Sequence, residues 1–226
     1  MEKLRKISLN TLALKIIGWV LAAAGGIGMV FLPEGPANTV FQMIFRAGML
    51  IFAFLAVEGF QHTGNLERYI VTIAAAALVT EPFYDYACLG VWLDFSSANG
   101  QNPLFALALG LVQLYFLRYM GVSSVGKILK SLVMVLAACL WMFLLNVHWG
   151  VYTVLAMAVF YLLREKKTAR NLVMAAVSLP WFLIPAVGLL PLWRYNGERG
   201  NFNKYLFYVL CPVVWLVLAL IRLLAL

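Results

Sequence analysis

The sequence predicts an all-α protein, a polytopic transmembrane helix bundle of about eight spans that forms one integral membrane domain over residues 1–226. Three observations carry this. The chain is 64% hydrophobic and only 12% charged, against about 25% charged residues in soluble domains, so it has too little polar surface to cover a fold in water. Apolar runs of about 20 residues, the length that crosses a bilayer, recur with short breaks between them. The lysines and arginines cluster at these breaks, as loops facing an anionic leaflet do. The net charge of +8 therefore points to a lipid bilayer as partner and not to nucleic acid.

The elements follow in order. The first run comes after Lys3, Arg5 and Lys6, is too long for the apolar core of a signal peptide, and has no small-residue cleavage site before Pro33. It reads as a retained span at 10–32. Pro33-Glu34-Gly35-Pro36 separates it from a second span at 40–60, and Thr63-Gly64-Asn65 separates that from a third at 66–84. Ser96-Ser97-Ala98-Asn99-Gly100 precedes a fourth at 103–120, and Gly121 a fifth at 127–147. A short sixth covers 149–164. The seventh, 170–190, runs into Pro180, Pro185 and Pro191, which predict a kink or partial re-entry. Tyr195-Asn196-Gly197 leads to the eighth at 204–225. Gly25-Gly26-Ile27-Gly28 lies mid-span and reads as a close helix-packing face, toward another helix of the chain or toward a second copy in an oligomer. No internal repeat supports an inverted-repeat transporter.

Loop charge sets the orientation. Arg68, the group Arg118, Lys127 and Lys130, and the group Arg164, Lys166, Lys167 and Arg170 fall on one side with the N-terminus. The connections 33–39, 85–102 and 147–150 contain no Lys or Arg. With eight spans this places both termini in the cytoplasm. One segment breaks the pattern: 190–204 would lie outside, yet it carries Arg194, Arg199 and Lys204. Either a late loop tolerates misplaced charge, or these cations fold into a polar cavity and hold an anion.

Charge at bilayer depth costs at least about 2.5 kcal/mol, so the exceptions mark candidate sites. Arg46 lies inside span two, where it either pairs with a carboxylate such as Asp85 or holds a ligand. Glu58 and His62, four residues apart, share a helix face at the cytoplasmic boundary. Glu81 and Asp85 close span three around Pro82, and His148 opens span six beside Trp149. Cys88, Cys139 and Cys211 have no metal-ligand spacing, so no metal is expected. No nucleotide or hydrolase motif is present.

The stretch from Arg46 through Glu58-Gly59-Phe60-Gln61-His62-Thr63-Gly64-Asn65 resembles the second-helix signature of the TraX family. Glu81-Pro82-Phe83-Tyr84-Asp85, Asn102-Pro103-Leu104-Phe105, and Tyr195-Asn196-Gly197-Glu198-Arg199-Gly200 followed by Lys204-Tyr205 resemble later family segments in the same order. That family takes its name from a conjugation protein needed for N-acetylation of pilin and resembles the multi-spanning membrane acyltransferases. The resemblance implies acyl transfer, with acetyl-CoA as donor and an acceptor that could be protein, glycan or lipid. It makes Glu58 and His62 the acid/base candidates. Arg46, Glu81, Asp85, Asn102, Asn196, Arg199 and Lys204 become substrate- or cofactor-binding candidates.

The sequence departs from the family at three places. An Asp-His pair in the first helix is replaced by Gly25-Gly26, a last-helix His by Val214, and an Asp-Tyr by His148-Trp149. Acyl transfer needs a base to take the acceptor's proton. Two alternatives therefore stand beside the enzyme: a catalytically degenerate member serving as a scaffold or partner-binding subunit, and a small-solute transporter.

Overall fold

A computed structural model describes residues 8–94, 100–119, 124–200 and 206–225, and among these it contains helices and turns but no strands. Asn10 starts the first helix: its side chain accepts the Ala13 N–H, satisfying one orphan donor of α1, Thr11–Phe31. Pro36 opens α2, Pro36–His62, at a position that has no intrahelical N–H bond to lose. The two helices run antiparallel at backbone contact. A Cβ on Gly25 would fall 2.6 Å from the Phe45 nitrogen, and one on Gly28 2.1 Å from the Phe41 ring. Asn38 then closes the end of α1 by donating to the Leu32 carbonyl at 2.9 Å. The small-residue face thus packs inside the chain.

Asn65 caps α3, Leu66–Leu89, by accepting the Arg68 N–H at 2.8 Å. This helix runs beyond the expected end at 84, passing through Pro82 and stopping at Gly90, whose φ of 78° suits a residue without Cβ. Proline loses one helical hydrogen bond, but the apolar residues after it still gain from packing, and the helix continues. Glu81 and Asp85 are therefore interior to α3 rather than at its end. Helices α4, Leu104–Tyr119, α5, Ser124–Leu144, and α6, Gly150–Leu162, follow as an antiparallel set. Their upper turns are joined: the Gln101 N–H donates to the Asn146 carbonyl and the His148 N–H to the Gln101 carbonyl.

The main departure from expectation is at 167–193. Helix α7, Lys167–Val177, has 11 residues, about 16 Å, which is half of a bilayer core of about 30 Å. Arg170 near its start lies over the rings of Phe54 and Phe160, and Ser178 at its end bonds Tyr152 at 3.0 Å. Positive φ at Phe182 and Leu183 then reverses the chain. Short 3₁₀ turns, Leu179–Trp181 and Ile184–Gly188, and α8, Leu189–Trp193, lead back past Ala47 to Tyr195, whose ring packs edge-on against Phe54. There the Leu9 N–H donates to the Arg194 carbonyl and the Thr11 N–H to the Glu198 carbonyl. Residues 167–195 enter the bundle and return to the end they started from. Pro180 and Pro185 supply no backbone donors at the bend, which is why it cannot continue as helix.

This re-entry reverses the last helix. In α9, Leu206–Ala225, Trp215 packs on Tyr84, and the Arg222 guanidinium donates to the Ala87 carbonyl at 2.8 Å. Helix α9 therefore runs parallel to α3 and ends beside Gly90, at the opposite end of the bundle from Asn10, so the two ends of the chain do not share the one side that the eight-span reading expected. The reversal also resolves the charge anomaly. Arg194 and Arg199 share an end with Arg68 and Arg118, and Arg222 lies at the other end. Three helical segments, Thr11–Phe31, Pro36–His62 and Gly126–Leu144, are long and apolar enough to cross a membrane. The described helices do not form eight full crossings.

Candidate functional site

A cavity of about 730 Å³ lies between α1, α2, α3 and α9, within the range of small-molecule sites. It meets the surface at the end where α2 turns into α3, beside the exposed Gly64, Asn65 and Arg68. Glu58, His62 and Arg199 line this mouth, joined by Lys15 and Tyr195. Farther in, the wall is apolar: Phe45, Met49, Val214, Trp215 and Leu218, with Asn102 from the α4 side.

The helical spacing places Glu58 and His62 on one face, but they do not form a carboxylate–imidazole pair. The His62 Nδ1 lies 2.8 Å from the Glu58 backbone carbonyl. A carbonyl only accepts, so Nδ1 carries the proton in the neutral ring and Nε2 keeps its lone pair. The Glu58 carboxylate instead lies beside the Tyr195 hydroxyl, which is 3.0 Å from Thr11 Oγ1. Burial, with the nearby carboxylate adding to it, raises the Tyr195 hydroxyl above its usual range. The buried Arg170 guanidinium acts on the same carboxylate from behind. Lys15 and Arg199 are close enough to repel one another, so the mouth carries concentrated positive charge.

Arg46 does not reach the cavity lining, although its neighbour Phe45 does. Its guanidinium lies over two indoles, 4.5 Å from the Trp181 centroid and 5.0 Å from that of Trp149. Nε and Nη1 are buried without a hydrogen-bond partner among the described residues. The pairing with Asp85 considered from sequence does not form: Asp85 Oδ2 accepts the Asp94 N–H at 2.7 Å. Glu81 accepts both the backbone and the side-chain N–H of Asn102, and Asn102 also donates to the Ala77 carbonyl. The two carboxylates thus fasten the chain between α3 and α4, and only Asn102 of this group touches the cavity. Asn196 lies exposed in the turn, where its side chain donates to Glu198 at 3.0 Å. Lys204 lies outside the described residues.

Sequence reasoning did not single out Lys15 or Tyr195 as site residues. Lys15 had a signal, since it sits inside an apolar run where charge is costly. Tyr195 had none, because its place at the mouth depends on the return of the chain after α8. The departures from the family pattern are informative in three dimensions. Gly26 and Val214 both line the cavity, whereas Gly25 is pressed against Phe45.

The TraX protein family model matches residues 11–222. The chain is also similar to "Probable fimbrial assembly protein FimC, serogroup H1" of Dichelobacter nodosus, with 29% identity across 92% of this chain and 94% of that protein. No solved structure matches it. The match runs from the first turn of α1 to the last turn of α9 and takes in every wall of the cavity, so the chain belongs to the TraX family.

Proposed function

We propose that the protein transfers an acyl group from a cytoplasmic acyl-CoA thioester to an acceptor bearing an amine or hydroxyl at the membrane. The observation that carries this reading is the meeting of His62, Glu58 and the cations Lys15, Arg68 and Arg199 at one cavity mouth. The cations suit the phosphates of CoA. The acceptor's nucleophile attacks the thioester carbonyl carbon and gives its proton to His62 Nε2. The C–S bond breaks, and the departing thiolate takes that proton. Glu58, held by Tyr195, orients the acceptor. The gathering of base-rich connections at the mouth end supports an inner-membrane protein with this end in the cytoplasm and the Arg222 end of α9 outside.

The test is release of free CoA by purified protein in nanodiscs, supplied with acyl-CoA donors and amine or hydroxyl acceptors. Turnover that falls at least about 100-fold in His62→Ala supports the reading. Absence of turnover with every donor refutes it.

A second reading has its own observation. Gly26 and Val214 leave the inner wall without a titratable group where the family carries histidines, which favours a degenerate member that binds a partner in fimbrial or pilin assembly, as the FimC relative's name suggests. It predicts that His62→Ala leaves assembly in cells intact.

A further inference from the structure

Acetyl is the acyl group that the family resemblance suggests, yet the cavity is built for more than two carbons. The proton-transfer candidates and the cations occupy the same end of it. With the thioester carbonyl at His62 the pantetheine arm leads out of the mouth, and the CoA phosphates lie on its solvent side, toward the exposed Arg68 and Arg199. Nothing of the CoA moiety is then left to fill the inner part. Lys15 and Gly26 both line the cavity, and the segment of α1 between them spans about 16 Å. Beyond Met49 the wall is mostly apolar, with Phe45, Val214, Trp215 and Leu218, and its polar Asn102 side chain is engaged by Glu81. At Gly26 the missing side chain keeps this chamber open: a Cβ there would meet only Leu218 and Trp215, at 3.5 and 3.6 Å.

We propose that the inner chamber binds the aliphatic chain of a fatty acyl thioester of eight or more carbons, and that Gly26 and Val214 set the length it admits. Resting on the acyl-transfer reading, the proposal names the donor class for that site. An anionic head at a cationic mouth and an alkyl chain in a largely apolar extension are complementary in both charge and polarity.

The experiment is titration calorimetry of the full chain in nanodiscs with acetyl-CoA and octanoyl-CoA, with the heat from empty nanodiscs subtracted. Each methylene buried in the chamber tightens binding by about fourfold, so octanoyl-CoA should bind at least about 100-fold tighter than acetyl-CoA. Gly26→Leu should cut that ratio to less than about tenfold. Val214→Phe, which fills the chamber from α9, should do the same and serves where Gly26→Leu does not fold. Equal affinity of the two thioesters for the natural chain overturns the proposal, as does a ratio that neither variant changes. Chain-length-dependent binding without turnover would sink acyl transfer alone, whereas turnover without chain-length dependence would sink this inference alone.

Discussion

The Arg46 guanidinium lies over the Trp181 indole, 4.5 Å from its centroid, so a charge in the second helix holds the tip of a hairpin more than 130 residues farther along the chain. It also lies over the Trp149 indole, 5.0 Å from that centroid. A planar guanidinium can lie over two indoles, and an ammonium cannot do so equally. Arg46→Lys should therefore loosen the hairpin while keeping the charge. We expect a loss of about 1–2 kcal/mol in stability and faster proteolysis between 178 and 193, measured by thermal unfolding and limited digestion in detergent. Unchanged digestion kinetics would refute the anchoring role.

Asn102 holds the Glu81 carboxylate with two donors in a buried setting. Asn102→Leu removes the side-chain donor and should destabilise the protein by about 2–3 kcal/mol, since a buried carboxylate loses a partner. Adding Glu81→Gln should recover part of that loss, because an amide is cheaper to leave underbonded than a carboxylate. Purely additive effects in this double-mutant cycle would show that the two groups are not coupled.

Neighbouring glycines in α1 should respond oppositely to the same change. A Cβ at Gly25 meets the Phe45 backbone at 2.6–2.7 Å, whereas at Gly26 it finds ordinary contact distances. Gly25→Ala should cost about 1–3 kcal/mol by forcing α1 and α2 apart, and Gly26→Ala should be close to neutral. Equal melting temperatures for the two variants would contradict the packing described.

The direction of α9 can be tested by single-cysteine labelling in oriented vesicles, on a background in which Cys88, Cys139 and Cys211 are replaced. Gly64→Cys and Gly197→Cys should be modified from the same side, and Arg222→Cys from the other. Modification of Gly64→Cys and Arg222→Cys from one side and of Gly197→Cys from the other would mean that residues 167–193 cross the membrane completely.

The helices were legible in the sequence where a single rule governed them. Asn10 and Asn65 announce helix starts, apolar runs of adequate length give α1, α2 and α5, and the TraX-like signature identifies the helix that carries Glu58 and His62. The end of α3 was misread because Pro82 is a terminator by local preference, whereas packing after it decides the outcome. Pro180, Pro185 and Pro191 gave the kink or partial re-entry, but the segment was still counted as a span because hydropathy records burial in an apolar medium and not the direction of travel. Arg194 and Arg199, out of place by the charge rule, were the trace of that reversal. The Glu81–Asn102 and Arg46–Trp181 contacts join distant parts of the chain, and no local pattern encodes them. Glu58 and His62 were placed on the correct face, but which oxygen receives the imidazole is a rotamer outcome that spacing does not determine.

A cavity reaching toward the middle of a thin bundle weakens the barrier that a membrane protein must keep against ion leakage. Arg46 lies one residue from the cavity wall, fixed over its indoles with no carboxylate paired to it among the described residues. A hydronium or sodium ion that entered at His62 would meet this stationary positive charge before it reached the far side, and the field of an immobile guanidinium repels it. A guanidinium held beside the inner wall thus makes that depth costly for a cation.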